Sequence, residues 1–342
     1  MKNRMSKLTL TTFSLLLIFS FNTAYALDAS GSKLSEVNIN KVLNAAHEKF
    51  KDNKDGKNAD YIKALADVDS KLFGITIVTV DGKVYEVGDY KSEFSIQSIS
   101  KVFTAAKAMQ QHGANAVQEK IGASATGLAF NSIIAIEMQP ARAANPFVNA
   151  GAIASTSLIT AKDGKERWNT IKTNMDDFAG RKLAFNEIVY QSEVNDNKRN
   201  QAISKLLDAY GRMYADPLES TTIYTKQCSV NVSAHDLAVM GSTLANHGIN
   251  PVTNKKVIDP EYPQHVLALM ATAGLYDGAG DWLYNTGTPA KSGVGGGIVA
   301  VVPGKLAIGV FAPPLDSIGN SVKGQLAAAY IIKELGLNPY NQ

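Results

Sequence analysis

The sequence of 342 residues contains only one cysteine, Cys228, and five histidines that are scattered along the chain. A single cysteine cannot form a disulfide bond within the chain, so the fold has to be stabilised by packing. No two histidines lie at the spacing of zinc ligands, and the cysteine has no partner, so we predict no metal site. We also predict that Cys228 is a small buried hydrophobic residue, which is commoner for a lone cysteine than a role as nucleophile.

The chain also lacks an apolar run long enough to cross a membrane. The run over residues 8–21 is shorter than the roughly 18 to 20 residues that a spanning helix needs, and serines and threonines interrupt it. It follows the basic residues Lys2, Arg4 and Lys7 and precedes Ala24-Tyr25-Ala26, a pattern typical of a secretory signal peptide. We therefore predict that residues 1–26 are removed by cleavage after Ala26. The mature protein is expected to be periplasmic or secreted, without membrane attachment.

An excess of charge of either sign is missing as well. The full chain has 34 basic and 31 acidic residues, and residues 1–26 contain three basic residues and no acidic one. Cleavage would leave 31 residues of each sign. This balance gives no reason to expect nucleic acid or an anionic membrane surface as a partner. The 316 remaining residues are enough for one large or two moderate domains.

Strand patterns occur near both ends of the chain, and helical patterns fill the middle. The sequence predicts β-hairpins over residues 74–87 and 297–311. It predicts helices over residues 39–50, 158–173, 200–214, 234–247 and 322–335. We expect an α/β (α+β) fold whose antiparallel sheet is built from both termini, flanked by helices, with an inserted all-helical region. Residues 27–112 and 285–342 would form the sheet lobe and residues 113–284 the mainly helical lobe, with a site in the cleft between them.

Two short motifs point to nucleophilic chemistry. Ser98-Ile99-Ser100-Lys101 places a hydroxyl three residues before an amine, and such positions are neighbours on one face of a helix. An unprotonated lysine there can accept the serine proton and activate the nucleophile. Lys291-Ser292-Gly293 matches the second motif of serine acyl-transfer enzymes of the β-lactamase and penicillin-binding type.

The spacing of the first motif alone decides little. The same spacing occurs in Ser30-Gly31-Ser32-Lys33, in a stretch without a helical pattern. A serine that only starts a helix, followed by a solvated lysine, would also give this spacing. Ser98 differs because an apolar stripe begins at Ile99, which indicates a buried helix. The Ser98 motif is therefore the better candidate for the nucleophile.

A glycine-rich segment and an S-x-N pattern suggest two rival functions. Residues 293–297 are glycine-rich but lead into a strand, whereas nucleotide-binding loops open a helix, so they better suit close backbone approach to a small ligand. Their amides are candidate oxyanion donors. Ser229-Val230-Asn231 fits the S-x-N pattern of penicillin-recognising enzymes. A secreted serine β-lactamase or D-Ala peptidase therefore stays open, as does a non-catalytic periplasmic amino-acid-binding protein.

Longer segments, in order along nearly the whole mature chain, resemble the serine-dependent glutaminase family, whose fold is related to that of β-lactamases. The matching segments are residues 56–62, 94–103, 145–152, 192–193, 199–200, 227–229, 270–277 and 289–297. The resemblance implies hydrolysis of the side-chain amide of L-glutamine to give L-glutamate and ammonia. It also implies no metal or cofactor, and a homo-oligomer, either a dimer or a tetramer.

The same resemblance assigns roles to single residues. It implies that Ser98 is the nucleophile, Lys101 its base and Tyr276 a proton relay, and that the Ser98 and Val294 backbone amides hold the oxyanion. The residues implied to bind the substrate are Tyr61, Asn149, Glu193, Asn200, Tyr224 and Val294. A carboxylate suits the α-ammonium of glutamine, and amide and phenol donors suit its α-carboxylate. From the residues alone, we would favour helix caps for the two asparagines and a core position for Tyr224.

Overall fold

The computed structural model describes residues 34–139 and 143–341. The predicted signal peptide and the second S-x-x-K motif, at Ser30 to Lys33, lie outside the described residues. The helices are α1 Glu36–Phe50, α2 Lys63–Ala66, α3 Ser100–His112, α4 Ala114–Lys120, α5 Ile134–Glu137, α6 Asn149–Leu158, α7 Gly164–Ala179, α8 Glu187–Val194, α9 Lys198–Ala209, α10 Pro217–Cys228, α11 Ala234–Ala245, α12 Pro263–Ala273, α13 Ala279–Thr286 and α14 Val322–Glu334. Short 3-10 turns occupy Gln97–Ile99, Tyr276–Gly278 and Pro339–Asn341.

An antiparallel sheet of five strands joins the two ends of the chain. Its strands are β1 Gly74–Thr79, β2 Val84–Gly88, β5 Ala290–Gly293, β6 Gly297–Val302 and β7 Leu306–Phe311, in the order β2-β1-β7-β6-β5. In the central pair, Gly74 lies opposite Phe311 and Thr79 opposite Leu306. The strands β3 Phe94–Ser95 and β4 Asn231–Val232 form a separate small sheet. Both predicted hairpins and the predicted fold class are confirmed.

Alternation along the strands separates two hydrophobic layers. In β7, Leu306, Ile308 and Val310 belong to the core that includes α1 and α14 on one face of the sheet. In β6, Val299 and Val301 belong to the core shared with the helical region on the other face. This two-residue period is what a strand buried on both faces requires.

Helix α11 packs against the second face of the sheet at very short range. A Cβ atom placed on Gly309 of β7 would lie 2.2 Å from the Ala234 carbonyl oxygen and 2.7 Å from the Ala238 nitrogen. A Cβ on Gly241 would lie 2.8 Å from the Ala307 Cβ. Glycine at these two positions therefore allows the helix and the strand to approach each other.

The prediction of one helix over residues 158–173 is wrong. Helix α6 ends at Leu158, Ile159 is extended, and α7 starts only at Gly164. The Asp163 side chain accepts a hydrogen bond from the Glu166 amide at 2.7 Å, which caps α7. The Glu166 carboxylate in turn accepts the Lys162 amide at 2.7 Å. These local bonds favour a new helix start over a continuous helix.

Burial agrees with the prediction for the lone cysteine. Cys228, the last residue of α10, is a buried free thiol and belongs to the main hydrophobic core. Within residues 34–139 and 143–341, no helix has the length and apolar character needed to cross a membrane.

Candidate active site

Ser98 lies in a tight turn directly before α3. The turn Gln97–Ile99 is a 3-10 helix that continues into α3 at Ser100, and Ser98 is 7% exposed. Gln97 has a φ of 50°, a left-handed conformation that side chains other than glycine rarely adopt. Its side-chain amide donates to Glu193 Oε1 at 2.7 Å and to Ser95 Oγ at 3.2 Å. Such strain persists only where the surroundings hold it, and it often marks a functional site.

Lys101 contacts the candidate nucleophile directly. Its Nζ donates to Ser98 Oγ at 2.7 Å and to Asn149 Oδ1 at 3.0 Å, and the residue is 1% exposed. Burial disfavours the charged form and lowers the pKa of Lys101 to about 8. At pH 7 about a tenth of such lysines is neutral, against about three in ten thousand at the ordinary pKa of 10.5. A buried amine at this distance from a hydroxyl, with this pKa, is chemically able to serve as a general base.

Tyr276 and Lys291 form a second buried group, and neither is among the residues that line the cavity described below. The Tyr276 hydroxyl is buried and makes no hydrogen bond with a described residue. Burial raises the pKa of this phenol, while the nearby Ser98 and Ser292 hydroxyls act against the rise. Lys291 Nζ lies 4.3 Å from the centroid of the Tyr276 ring and donates to the Ser292 carbonyl at 2.6 Å. Burial, followed by the charge of Lys101, lowers the pKa of Lys291 well below its usual range.

Asn149 connects these groups to two further predicted residues. Its Oδ1 accepts from Lys101 and, at 3.1 Å, from the Tyr224 hydroxyl, and its Nδ2 donates to Asn200 Oδ1 at 3.0 Å. Val148, without a side-chain bond, is the N-cap of α6, and Asn200 lies inside α9. The two asparagines therefore do not cap helices here. Tyr224 is buried, but its hydroxyl is part of the polar network.

One cavity of about 370 Å³ brings most of the predicted residues together. The predicted residues that line it are Tyr61, Ser98, Asn149, Glu193, Asn200, Tyr224 and Val294. Lys101 reaches the cavity through its bond to Ser98. Gln97, Phe130 and Arg199 also line it, and sequence reasoning did not single them out. The size and the few converging polar groups suit a ligand as small as an amino acid.

Comparison with known proteins supplies the family. A family model described as Glutaminase matches residues 56–340. The chain belongs to the glutaminase family. It is 53% identical over 300 residues to a glutaminase of Colwellia psychrerythraea, a match that covers 88% of this chain and 96% of that protein.

Solved structures agree with this membership. A probable glutaminase, ybaS, is 46% identical with a TM-score of 0.88 and is matched over 89% of this chain and 99% of its own. A structure of Mglu in its glutamate form is 36% identical with a TM-score of 0.81, over 86% of this chain and 68% of that one. The prediction of a glutaminase with a β-lactamase-like fold is therefore confirmed.

Glu193 of this glutaminase carries a carboxyl whose charge depends on its neighbours. Burial raises the pKa of Glu193 to about 7, and the Gln97 hydrogen bond and the Lys101 charge oppose this rise. A cationic ligand beside the carboxyl would hold it in the charged form. Burial also raises the pKa of the Cys228 thiol, to about 12, which does not suit a nucleophile.

Proposed function

We propose that this glutaminase hydrolyses L-glutamine through an acyl-enzyme intermediate on Ser98, with Lys101 as the base. The observation that carries the proposal is the 2.7 Å hydrogen bond between Lys101 Nζ and Ser98 Oγ in a buried network. A lysine with a pKa of about 8 exchanges its proton near neutral pH, as a general base must.

In the acylation step, Ser98 Oγ attacks the side-chain amide carbon of glutamine as its proton passes to Lys101. The backbone amides of Ser98 and Val294 stabilise the resulting oxyanion. Val294 follows the last pair of the β5–β6 ladder, Gly293 opposite Gly297, so its amide lies outside that ladder. A Cβ atom on Gly293 would lie 2.7 Å from the Ile96 carbonyl oxygen, so the turn after β5 packs directly against the turn that carries Ser98.

Collapse of the oxyanion breaks the carbon–nitrogen bond and requires a proton on the departing ammonia. Tyr276 is proposed to relay this proton from Lys101, because a phenol with a raised pKa stays neutral and can donate and accept in turn. A water molecule then attacks the acyl carbon and gives a proton to Lys101. Lys101 returns this proton to Ser98 Oγ as the bond between Oγ and the acyl carbon breaks, which releases L-glutamate. The scheme requires no metal or cofactor. Among the described residues, no three His, Cys, Asp or Glu side chains are placed to hold a metal ion.

We assign recognition of the α-ammonium and α-carboxylate groups of glutamine to polar residues that line the cavity. Glu193 is proposed to pair with the α-ammonium group. Asn200, Tyr61, Asn149 and Tyr224 are proposed to donate to the α-carboxylate. Without substrate, the Tyr224 hydroxyl and one Asn149 donor are already engaged within the network, so binding exchanges these bonds for bonds to the ligand.

The test measures ammonia release from glutamine and from asparagine, and in parallel ring opening of, and covalent labelling by, a penicillin-type β-lactam. We expect turnover of glutamine, and loss of at least about three orders of magnitude in kcat for Ser98→Ala, as for removal of other catalytic nucleophiles. The second S-x-x-K motif provides the matched control, because Ser30→Ala has the same chemistry and spacing and should leave kcat unchanged. A Ser98→Ala protein as fast as wild type, or stable labelling by the β-lactam without glutamine turnover, would refute the proposal.

Export from the cytoplasm is proposed from residues 1–26 alone. The basic start, the short apolar run and Ala24-Tyr25-Ala26 support it. We expect the N-terminus of the mature protein to be Leu27, found by mass spectrometry of the periplasmic or secreted fraction. An intact Met1 on cytoplasmic protein would contradict it.

A homo-oligomer, dimer or tetramer, is proposed from the resemblance to the family. Light scattering coupled to size-exclusion chromatography measures the mass in solution. A mass equal to one chain at all concentrations would contradict the proposal.

A further inference from the structure

A second cavity, of about 770 Å³, lies apart from the candidate active site. It is bounded by the chain after α1, by the segments on both sides of α2 and by the start of α14. Its lining residues are Lys51, Asp52, Asn53, Lys54, Gly56, Lys57, Asn58, Asp60, Ala66, Ser70, Lys71, Pro314 and Lys323. None of them lines the glutamine cavity. Five are lysines and two are aspartates, so the lining is positively charged.

Lys323 is the unusual member of this set. It is the second residue of α14, and the whole residue is only 1% exposed although it lines the cavity. Its Nζ lies 5.2 Å from the centroid of the Phe73 ring. Within the described part of the chain it forms no hydrogen bond or ion pair. The side chain is thus almost wholly buried while its ammonium group reaches the cavity, where a ligand oxygen can take the place of water.

Carboxylates near Lys323 do not supply that partner. Burial lowers the pKa of Lys323, and the charges of Asp89, Asp69 and Asp52 act against this at longer range. Asp89 already accepts the Phe73 amide at 2.9 Å. None of these three carboxylates forms an ion pair with Lys323.

The rim of the cavity adds free positive charge. Lys57 pairs with Asp60 at 2.7 Å, and Lys51 pairs with Glu48 at 2.6 Å. Lys54 and Lys71 form no ion pair with a described residue. A ligand with two or more charged oxygens can thus contact the buried lysine and the rim lysines together.

The walls are held in place by backbone pairing. The Lys57 amide donates to the Leu315 carbonyl at 3.0 Å, and the Leu315 amide donates to the Lys57 carbonyl at 2.8 Å. Gly56 has a φ of 85°, and a Cβ atom there would lie 2.5 Å from the Leu315 carbonyl oxygen. The Ser321 side chain caps α14 through the Gly324 amide, so the first turn that carries Lys323 is fixed too. A site built on paired backbone is formed before its ligand binds.

We propose that this cavity binds a small, multiply charged oxyanion, with Lys323 at its base and Lys54 and Lys71 at its rim. The shared chemistry is two or more anionic oxygens on one small molecule, from either phosphoryl or carboxylate groups. The positive end of the α14 dipole favours the same sign of ligand. The proposal concerns a site separate from glutamine hydrolysis and does not depend on the mechanism given above.

The experiment is isothermal titration calorimetry of the mature protein with pyrophosphate and with citrate, against sodium chloride of equal ionic strength. We expect one binding site per chain for at least one of the two probes, and the tighter probe identifies the source of the oxygens. Saturating L-glutamine on the Ser98→Ala protein should leave this binding unchanged, because glutamine has no excess negative charge and the two cavities share no lining residue. No binding of either probe above the chloride control, or competition by glutamine, would overturn the proposal.

Variants then assign the binding to Lys323. Lys323→Met keeps the length of the side chain and removes its charge, and it should weaken the tighter probe about tenfold or more. The matched control is Lys333→Met, an exposed lysine of the same helix, which should change the affinity less than about twofold. If Lys323→Met fails to fold, the rim double variant Lys54→Gln/Lys71→Gln replaces it and should also weaken binding. Unchanged affinity in the folded variants would overturn the assignment.

Discussion

The pH dependence of glutamine turnover follows from the environment of Lys101. Lowering its pKa from 10.5 to about 8 corresponds to about 3 kcal/mol in favour of the neutral amine. Because only the neutral amine can accept the Ser98 proton, kcat should rise tenfold per pH unit below about 8 and level off above it. The same shift makes the neutral base about 300 times more abundant at pH 7 than an ordinary lysine would be.

Ionisation of Glu193 adds a second inflection to the pH profile of kcat/KM. In the free enzyme, protonation of Glu193 below about pH 7 removes the partner of the substrate ammonium, so kcat/KM should fall more steeply there than kcat. Bound substrate keeps the Glu193 carboxyl charged, so the pH profile of kcat has only the inflection of Lys101. The Glu193 charge also raises the pKa of Lys101. Glu193→Gln should therefore increase KM and move the inflection of kcat to lower pH.

The assay is the initial rate of ammonia release between pH 5.5 and 8.5, with circular dichroism at each pH to confirm that the protein is folded. Lys101→Arg is the control variant, because an arginine stays charged over this range and should lose activity at every pH. A kcat that stays flat from pH 6 to 8.5, or that still rises tenfold per unit at pH 8.5, would refute Lys101 as the base. An inflection that moves to higher pH in Glu193→Gln would refute the stated charge coupling.

Three further predictions concern packing and the immediate surroundings of the site. Gly309→Ala should lower the free energy of unfolding by about 1 to 3 kcal/mol in urea titrations, because its Cβ has no room against α11. Gln97→Glu should increase KM for glutamine at least about tenfold in steady-state assays, because it places a second carboxyl against Glu193 and replaces a donor. Cys228 should react with a thiol reagent only after the protein unfolds, as followed by absorbance, because the thiol is buried and its pKa is raised to about 12.

Each of these predictions can be contradicted by a specific result, and the first also has a control variant. Gly280→Ala serves for the first, because a Cβ there meets no atom within 4 Å, and equal destabilisation by both variants would contradict the packing argument. For the second, Gln97→Glu with an unchanged KM would show that the Gln97 bond does not position Glu193. Rapid thiol labelling of folded protein would contradict the third.

The parts of the fold that were predictable are those with local signals. Asp81-Gly82 and Pro303-Gly304 mark the two hairpins, and Gly82 and Gly304 have the positive φ angles that such turns need. Strand β5 was not recognised, because Lys291 and Ser292 do not have the alternation of a strand and are buried by tertiary contacts. The break between α6 and α7 was missed although Asp163 and Glu166 have the spacing of a capping pair.

Contacts in the candidate site were predictable between residues that are close in the sequence. Contacts between residues that are distant in the sequence were not. The spacing of Ser98 and Lys101 shows by itself that the two side chains can touch. Asn149 accepts one hydrogen bond from α3 and one from α10. These bonds depend on the packing of three helices, so no local sequence pattern predicts them. Gln97 stood beside Ser98 in the matching segment, but its role became visible only with its positive φ and its contact to Glu193.

The pairing of β1 with β7 determines how much of the chain must be synthesised before the central sheet can form. Gly74 lies opposite Phe311, so the sheet cannot close until nearly the whole chain has left the ribosome. Formation of this sheet also brings Val294 close to Ser98. Helix α14 can pack on the sheet only after residue 334 has been synthesised. A chain that ends before β5 would contain Ser98 and Lys101 but lack a proposed oxyanion donor and three of the five strands. Glutamine hydrolysis is therefore expected to begin late, after the last tenth of the chain has been made.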